Sequence, residues 1–110
     1  MAFDPDLADR IRELVSAERG VEEKRMFGGL AFLINGNMAI AANRGGGLLV
    51  RVPPEDTEQL LGREHVELMV MGGREMRGWL RVDAAGVRTK RQLQGWVSRG
   101  VGFARGLPPK

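Results

Sequence analysis

"KRMFGGLAFLINGNMAI", residues 24–40, decides the fold. It sets Met26, Phe27, Leu30, Phe32, Leu33, Ile34, Met38 and Ile40 around the pair Gly28-Gly29 and the dipeptide Asn35-Gly36. Asn-Gly between two apolar runs is a two-residue hairpin signal, because a type I′ turn needs positive φ at both central positions. Such a turn pairs Ile34 with Asn37, Leu33 with Met38, Phe32 with Ala39 and Ala31 with Ile40. One face of the hairpin then carries Leu30, Phe32, Ala39 and Ala41, and the other carries Ala31, Leu33, Met38 and Ile40. Both faces are apolar, and a single layer of helices covers only one of them. The second therefore needs further chain, a partner subunit or a ligand. Gly28-Gly29 reads as a bulge or bend that re-aims a short strand, residues 25–27, into the same sheet.

Working outward, Asp4-Pro5 is a helix start, since Asp caps free amides and Pro suits the first helical position. Leu7, Ile11, Leu14 and Val15 follow on one helical face until Gly20, which predicts a helix over residues 5–19. After the hairpin, "NRGGGLLVRV" gives a flexible tripeptide and then a strand alternating Leu48, Val50 and Val52. "PPEDTEQLLG" opens with two prolines and acids and closes on Gly62, the marks of a short helix. "VELMV" and "MRGWLRV" flank Gly72-Gly73 as a second hairpin, followed by a turn over residues 83–86. In its second strand Met76, Gly78, Leu80 and Val82 share one face, and Arg77, Trp79 and Arg81 a semi-exposed other face. Thr89 and Gln92 form a capping box ahead of a helical stripe of Leu93, Trp96, Val97, Val101 and Ala104 that runs toward Pro108-Pro109. There is no internal repeat or low-complexity linker, so residues 1–110 are read as one domain.

Composition narrows the function classes. Hydrophobic residues make up 43% and charged residues 28% of the 110, as in an ordinary folded domain. No apolar run reaches membrane-spanning length and the start, MAFDPDLADR, is acidic where a signal peptide is basic, so a cytoplasmic protein is expected with no membrane partner. The absence of cysteine excludes disulfides, thiolate metal sites and cysteine nucleophiles. The charge is uneven: residues 1–73 carry 8 basic and 12 acidic side chains, net −4, and residues 74–110 carry 9 and 2, net +7. A basic end of this kind suits either a solvated face or an acidic partner.

The catalytic inventory is thin. His65, the only histidine, sits between Glu64 and Glu67 without metal-ligand spacing and reads as an exposed residue at a helix-to-strand turn. Ser16, Ser98, Thr57 and Thr89 lie on neither G-x-S-x-G nor S-x-x-K patterns. No glycine cluster meets the G-x-G-x-x-G or phosphate-loop pattern, and the carboxylates fall at element ends. For nucleic acid the candidates are Arg74, Arg77, Arg81, Arg88, Lys90, Arg91, Arg99 and Arg105, with Trp79 as a stacking platform between two arginines. No helix-turn-helix, zinc-finger or RNA-recognition signature accompanies them.

"KRMFGGLAFLINGNMAI", "LLVRVPPE", "MRGWLRVD" and "LQGWVSRGVGFARGLPPK" together resemble the N-terminal domain of the TfoX/Sxy family, from about Lys24 to the C-terminus. The resemblance implies an α+β, two-layer fold with a mainly antiparallel sheet in the order α-β-β-β-α-β-β-α, similar to the secretion chaperones. The family is named for regulators of natural competence thought to act with the cyclic-AMP receptor protein at promoters. This chain is expected to be that domain standing alone, without the regulators' C-terminal domain. The resemblance implies no catalytic residue, cofactor or metal. The expected function is therefore a non-enzymatic regulatory or protein-interaction domain. A weak nucleic-acid-binding, transcription-associated protein is the alternative, and a small enzyme of unknown reaction a further one. The expected partners are a second copy of the chain and a protein of the transcription machinery, and the candidate surface is Arg77, Trp79, Arg81, Met38 and Leu33.

Overall fold

The computed structural model describes residues 4–26 and 29–110. Helix α1 (Pro5–Leu14) leads into strands β1 (Val21–Met26), β2 (Gly29–Ile34), β3 (Asn37–Ala42) and β4 (Leu48–Arg51). Helix α2 (Thr57–Leu61), strands β5 (Val66–Met71) and β6 (Arg74–Val82), and helix α3 (Lys90–Arg105) complete the chain. The strands form one antiparallel sheet in the order β1-β2-β3-β4-β6-β5. The α+β class and the antiparallel sheet are as expected, with four strands ahead of α2 where the expected order had three.

The additional length lies in β1, which pairs with β2 from Val21↔Ile34 to Met26↔Gly29. Its sequence, VEEKRM, has no apolar alternation because it is an edge strand whose inner residues are exposed. Charged edges of this type discourage pairing with other chains. The bend expected at Gly28-Gly29 falls partly on Gly28, which lies outside the described residues; Gly29 begins β2. Helix α1 begins as expected, with the Asp4 carboxylate accepting from the amides of Asp6 and Leu7, but it ends five residues early. There the Ser16 hydroxyl donates to the Glu13 carbonyl, the local side-chain bond that competes with helix continuation. Arg12 then ties α1 to β1 through two 2.7 Å bonds to Glu23 and one of 2.6 Å to Asp9. The hydrogen bond to Arg12 lowers the Glu23 pKa, and that to Glu23 raises the pKa of Arg12.

The Asn35-Gly36 turn forms as read, with φ of 52° and 85°. It is also a meeting point. The Asn35 amide donates to the Gly20 carbonyl, while the Lys110 amide donates to the Asn35 carbonyl and Asn37 Nδ2 to the Pro108 carbonyl, both at 2.9 Å. The C-terminal tail is thus fastened to the hairpin tip. The expected pairing holds at Ile34↔Asn37 and Leu33↔Met38 and then shifts: Phe32 pairs with Ile40, Ala31 with Ala41 and Leu30 with Ala42. Ala39 is the extra residue of a β-bulge, and a bulge changes which side chains reach each face. Ile40 and Ala42 join the helix-side core, and Ala41 moves to the opposite face, the reverse of the unbulged assignment.

The helix-side core gathers Leu7 and Ile11 of α1, Leu60 of α2, and Leu93, Trp96, Val97, Val101 and Ala104 of α3 over Phe32, Ile34, Ile40, Leu48, Val50 and Leu80. Each fully buried Leu, Ile or Phe contributes about 1.5–3 kcal/mol, so this layer supplies most of the apolar stabilisation. The capping box is formed, with the Thr89 hydroxyl accepting from the Gln92 amide and the Gln92 side chain accepting from the Thr89 amide.

Replacing Gly36 with Val tests the turn. A branched side chain at φ 85° is strained, and a Cβ there would lie 2.8 Å from Lys110 Cβ. Chemical denaturation of Gly36→Val should show a loss of roughly 1–3 kcal/mol. An unchanged midpoint would contradict the tight turn.

Candidate interaction surface

The five residues singled out from sequence do not form one patch. The difference arises in β6, where Leu80 pairs with Leu68 but Met76 pairs with Met69, leaving Arg77, Gly78 and Trp79 without counterparts on β5. Gly78 makes this excursion at φ 85°. Its amide donates to the buried Thr57 hydroxyl at 3.0 Å, and its carbonyl accepts from Val52 at 2.8 Å. The strand is thereby stitched to the start of α2. Met76, opposite Met69, leaves the face of Leu80 on which simple alternation had placed it.

Arg77 is turned onto α2. Its guanidinium donates to both carboxylate oxygens of Glu58 and, at 3.2 Å, to the carbonyl of Pro54. That hydrogen bond lowers the Glu58 pKa and raises that of Arg77. Trp79 lies opposite Arg51 of β4, whose guanidinium carbon is 5.0 Å from the Trp79 ring centroid and 5.4 Å from that of Phe103. Arg81 is exposed and lies opposite both Leu49 and Glu67.

Met38 and Leu33 belong with Trp79. Met38, Ala31, Ala41 and Leu49 form a second apolar cluster, with Met26, Leu33, Met69 and Trp79 packed against it; every member comes from a strand. Met38 is 5% exposed and Ala31 and Ala41 are fully covered, so further chain, with Met69 and Trp79, provides much of the cover that the hairpin pattern required. The two alanines are the physical reason. Their small side chains leave a shallow floor over which the longer Met26, Leu33, Met69 and Trp79 fold, themselves half-buried.

His65 lies where it was expected, exposed at the helix-to-strand turn. It occupies the turn between α2 and β5 at φ 69°, a left-handed conformation uncommon outside glycine. Its Nδ1 lies 3.2 Å and 3.3 Å from the two Asp83 carboxylate oxygens, and Nε2 is 3.8 Å from Glu64. With Asn43, Glu67, Arg81 and Asp83 it also lines a cleft of about 480 Å³. Asp83 also caps the turn that follows, accepting from the amides of Ala85 and Gly86. An Asp beside a His fixes the ring's orientation, yet none of the cleft's lining residues is a serine, threonine or lysine that this pair could activate. Sequence reading missed the partnership because the two residues are 18 positions apart and Asp83 already had a turn to explain it.

The basic candidates divide in the same manner. Arg77 is held by Glu58, and Arg105 by Glu18 and the carbonyl of Arg19. Arg91 and Arg99 instead share a cleft with Arg63. Among the described residues no three His, Asp or Glu side chains converge as metal ligands, and no helix is long and apolar enough to cross a membrane.

This arrangement, a six-stranded antiparallel sheet with all three helices on one core, meets a family model that covers residues 13–104, that of the TfoX N-terminal domain. The chain belongs to the TfoX N-terminal domain family. No curated protein and no solved structure matches it. Membership of the TfoX family supports a regulatory or interaction domain in general. In TfoX terms, the quoted hairpin supplies the centre of the sheet, with its register set by the bulge at Ala39.

The Arg77 to Glu58 pair yields a pH test. A carboxyl whose folded pKa is lowered stabilises the fold above its ordinary pKa, and that contribution disappears as pH falls through the folded value. Arg77→Gln should bring the Glu58 titration, followed by NMR, back up to the ordinary glutamate range. Any stability difference between the two proteins should be present at neutral pH and vanish on acidification below that range. A Glu58 midpoint unmoved by the substitution would contradict the pair.

Proposed function

We propose that this chain is a non-enzymatic regulatory module that binds a protein through the strand-only face of its sheet, a second copy of the chain being the first partner to test. One observation carries the reading: among the described residues, the cluster of Ala31, Met38, Ala41 and Leu49 is roofed by the half-buried side chains of Met26, Leu33, Met69 and Trp79. A partner replacing water over those four gains apolar burial without unfolding anything, at roughly 25 cal/mol per Å² covered. Half-buried aromatic and methionine side chains are enriched at protein interfaces, and Arg81 and the Arg51 to Trp79 stack supply a polar rim. TfoX family membership supports a regulatory setting, and action beside the transcription machinery is the finer form of the proposal. The His65 and Asp83 cleft has no hydroxyl, thiol or lysine side chain among its lining residues, which favours the non-enzymatic reading over a hydrolase built on such a nucleophile.

Sedimentation velocity across the micromolar range should show a dimer for the natural sequence. The double variant Leu33→Glu, Met69→Glu should sediment as a monomer while keeping its far-ultraviolet circular dichroism. A natural chain that is monomeric throughout, or a double variant that still dimerises, would remove the second copy from this face.

A further inference from the structure

A second cleft, of about 310 Å³, opens between the end of α2 and the exposed side of α3. It borders Trp96 of the helix-side core and shares no residue with the strand-only cluster. Three arginines line it: Arg63 just past α2, and Arg91 and Arg99 on α3. Arg91, Gly95 and Arg99 are spaced four apart, so they form one stripe of the helix, with the two arginines separated by about 12 Å along its axis.

Two of these guanidinium groups are held without a carboxylate partner. Arg63 and Arg99 each lie 5.7 Å from the Trp96 ring centroid, so they are at most twice that distance from one another. Trp96 is 6% exposed, which makes it a fixed cation–π support and leaves no open ring for a base to stack on. Arg12, Arg77 and Arg105 each bond a carboxylate of their own chain. Arg63, Arg91 and Arg99 bond none, among the described residues. Three arginines against the single carboxylate of Glu64 leave the lining of this concave site net positive, a charge that an anion relieves.

Gly95 supports the same conclusion. Glycine within a helix lowers helix stability relative to alanine, and here packing does not demand it, because a Cβ at Gly95 would meet nothing within 4 Å. Gly102 has the same freedom but lines no part of this cleft. Between Arg91 and Arg99 the missing side chain keeps the floor clear. The helix terminus contributes little, since the Thr89 and Gln92 capping box already occupies amides there.

We propose that this cleft binds a small ligand carrying linked phosphates, such as pyrophosphate or the polyphosphate tail of a nucleotide. Planar guanidinium forks match phosphate oxygens in pairs, and three of them spread along a cleft suit two or three joined phosphates better than one. A long nucleic-acid backbone fits less well. It would run on past Glu67 and Asp83 in the neighbouring cleft, which His65 separates from this one, whereas a short ligand meets only the Glu64 of this cleft.

Isothermal titration of the full chain at low ionic strength tests the assignment, using pyrophosphate, orthophosphate and a duplex oligonucleotide as separate probes. Pyrophosphate should bind saturably at one site per chain and orthophosphate more weakly. Arg91→Gln, whose side chain does not support Trp96, should weaken pyrophosphate about tenfold, the effect of one charge-assisted hydrogen bond. Gly95→Leu should abolish binding by filling the floor while the thermal melt is retained. Arg74→Gln, at the distant β5–β6 hairpin, should change nothing. Absence of saturable pyrophosphate binding would overturn the proposal, as would binding indifferent to Arg91→Gln and Gly95→Leu. Oligonucleotide binding that Arg91→Gln weakens, with no saturable binding of pyrophosphate, would assign the arginines to nucleic acid instead.

Discussion

The layer of helices is seated by one close approach. A Cβ built on Gly100 of α3 would lie 2.5 Å from the carbonyl oxygen of Ala39 and 3.1 Å from a Val50 methyl, so no other residue fits there without moving backbone. Ala39 is the bulged residue of β3, and the bulge is what brings Ile40 as well as Ala39 to the helix side. The contact therefore links two local irregularities, a glycine in mid-helix and an extra residue in mid-strand, into one packing solution. Leu93, Trp96, Val97, Val101 and Ala104 are buried around it.

Seating all three helices over one face determines what the other face becomes. Among the described residues its cluster has only strand residues and is covered by its own long side chains, an arrangement that holds a folded chain yet leaves apolar surface near the top. The arginines are sorted by the same geometry. Those near an acidic strand or helix end are consumed in ion pairs, Arg12 by Glu23 and Arg77 by Glu58, and solvent-exposed pairs of this kind add little to stability. Those on the outward stripe of α3 keep their charge. A net +7 over residues 74–110 thus overstates the field available to any one ligand.

Much of this was legible in the residues. Asn35-Gly36 gave the turn, Thr89 and Gln92 the start of α3, and the stripe from Leu93 to Ala104 its buried side, because each is a local rule with a local cause. The hairpin faces beyond Met38 were not legible, since the alternation of LAFLI and NMAIA does not mark the extra residue of a bulge. The β6 excursion was hidden likewise: Gly78 was visible as a glycine, but its bond to Thr57 spans 21 positions. Among the candidate surface residues, Met38, Leu33 and Trp79 do share a cluster, whereas Arg77 is taken by α2. The spacing of Arg91, Gly95 and Arg99 was available as a helical stripe; Arg63, which completes their cleft, carried no local signal.

The seating of α3 on the bulge is tested most directly by comparing the thermal or denaturant stability of Gly100→Ala with that of Gly102→Ala. Both substitutions add one methyl group to the same helix and gain up to about 1 kcal/mol from helix propensity. A Cβ at Gly102 would meet nothing within 4 Å, so Gly102→Ala should be neutral or stabilising. Gly100→Ala should destabilise by roughly 1–3 kcal/mol as the helix is forced off Ala39. Equal stability in the two variants would contradict the close approach on which the two-faced sheet depends.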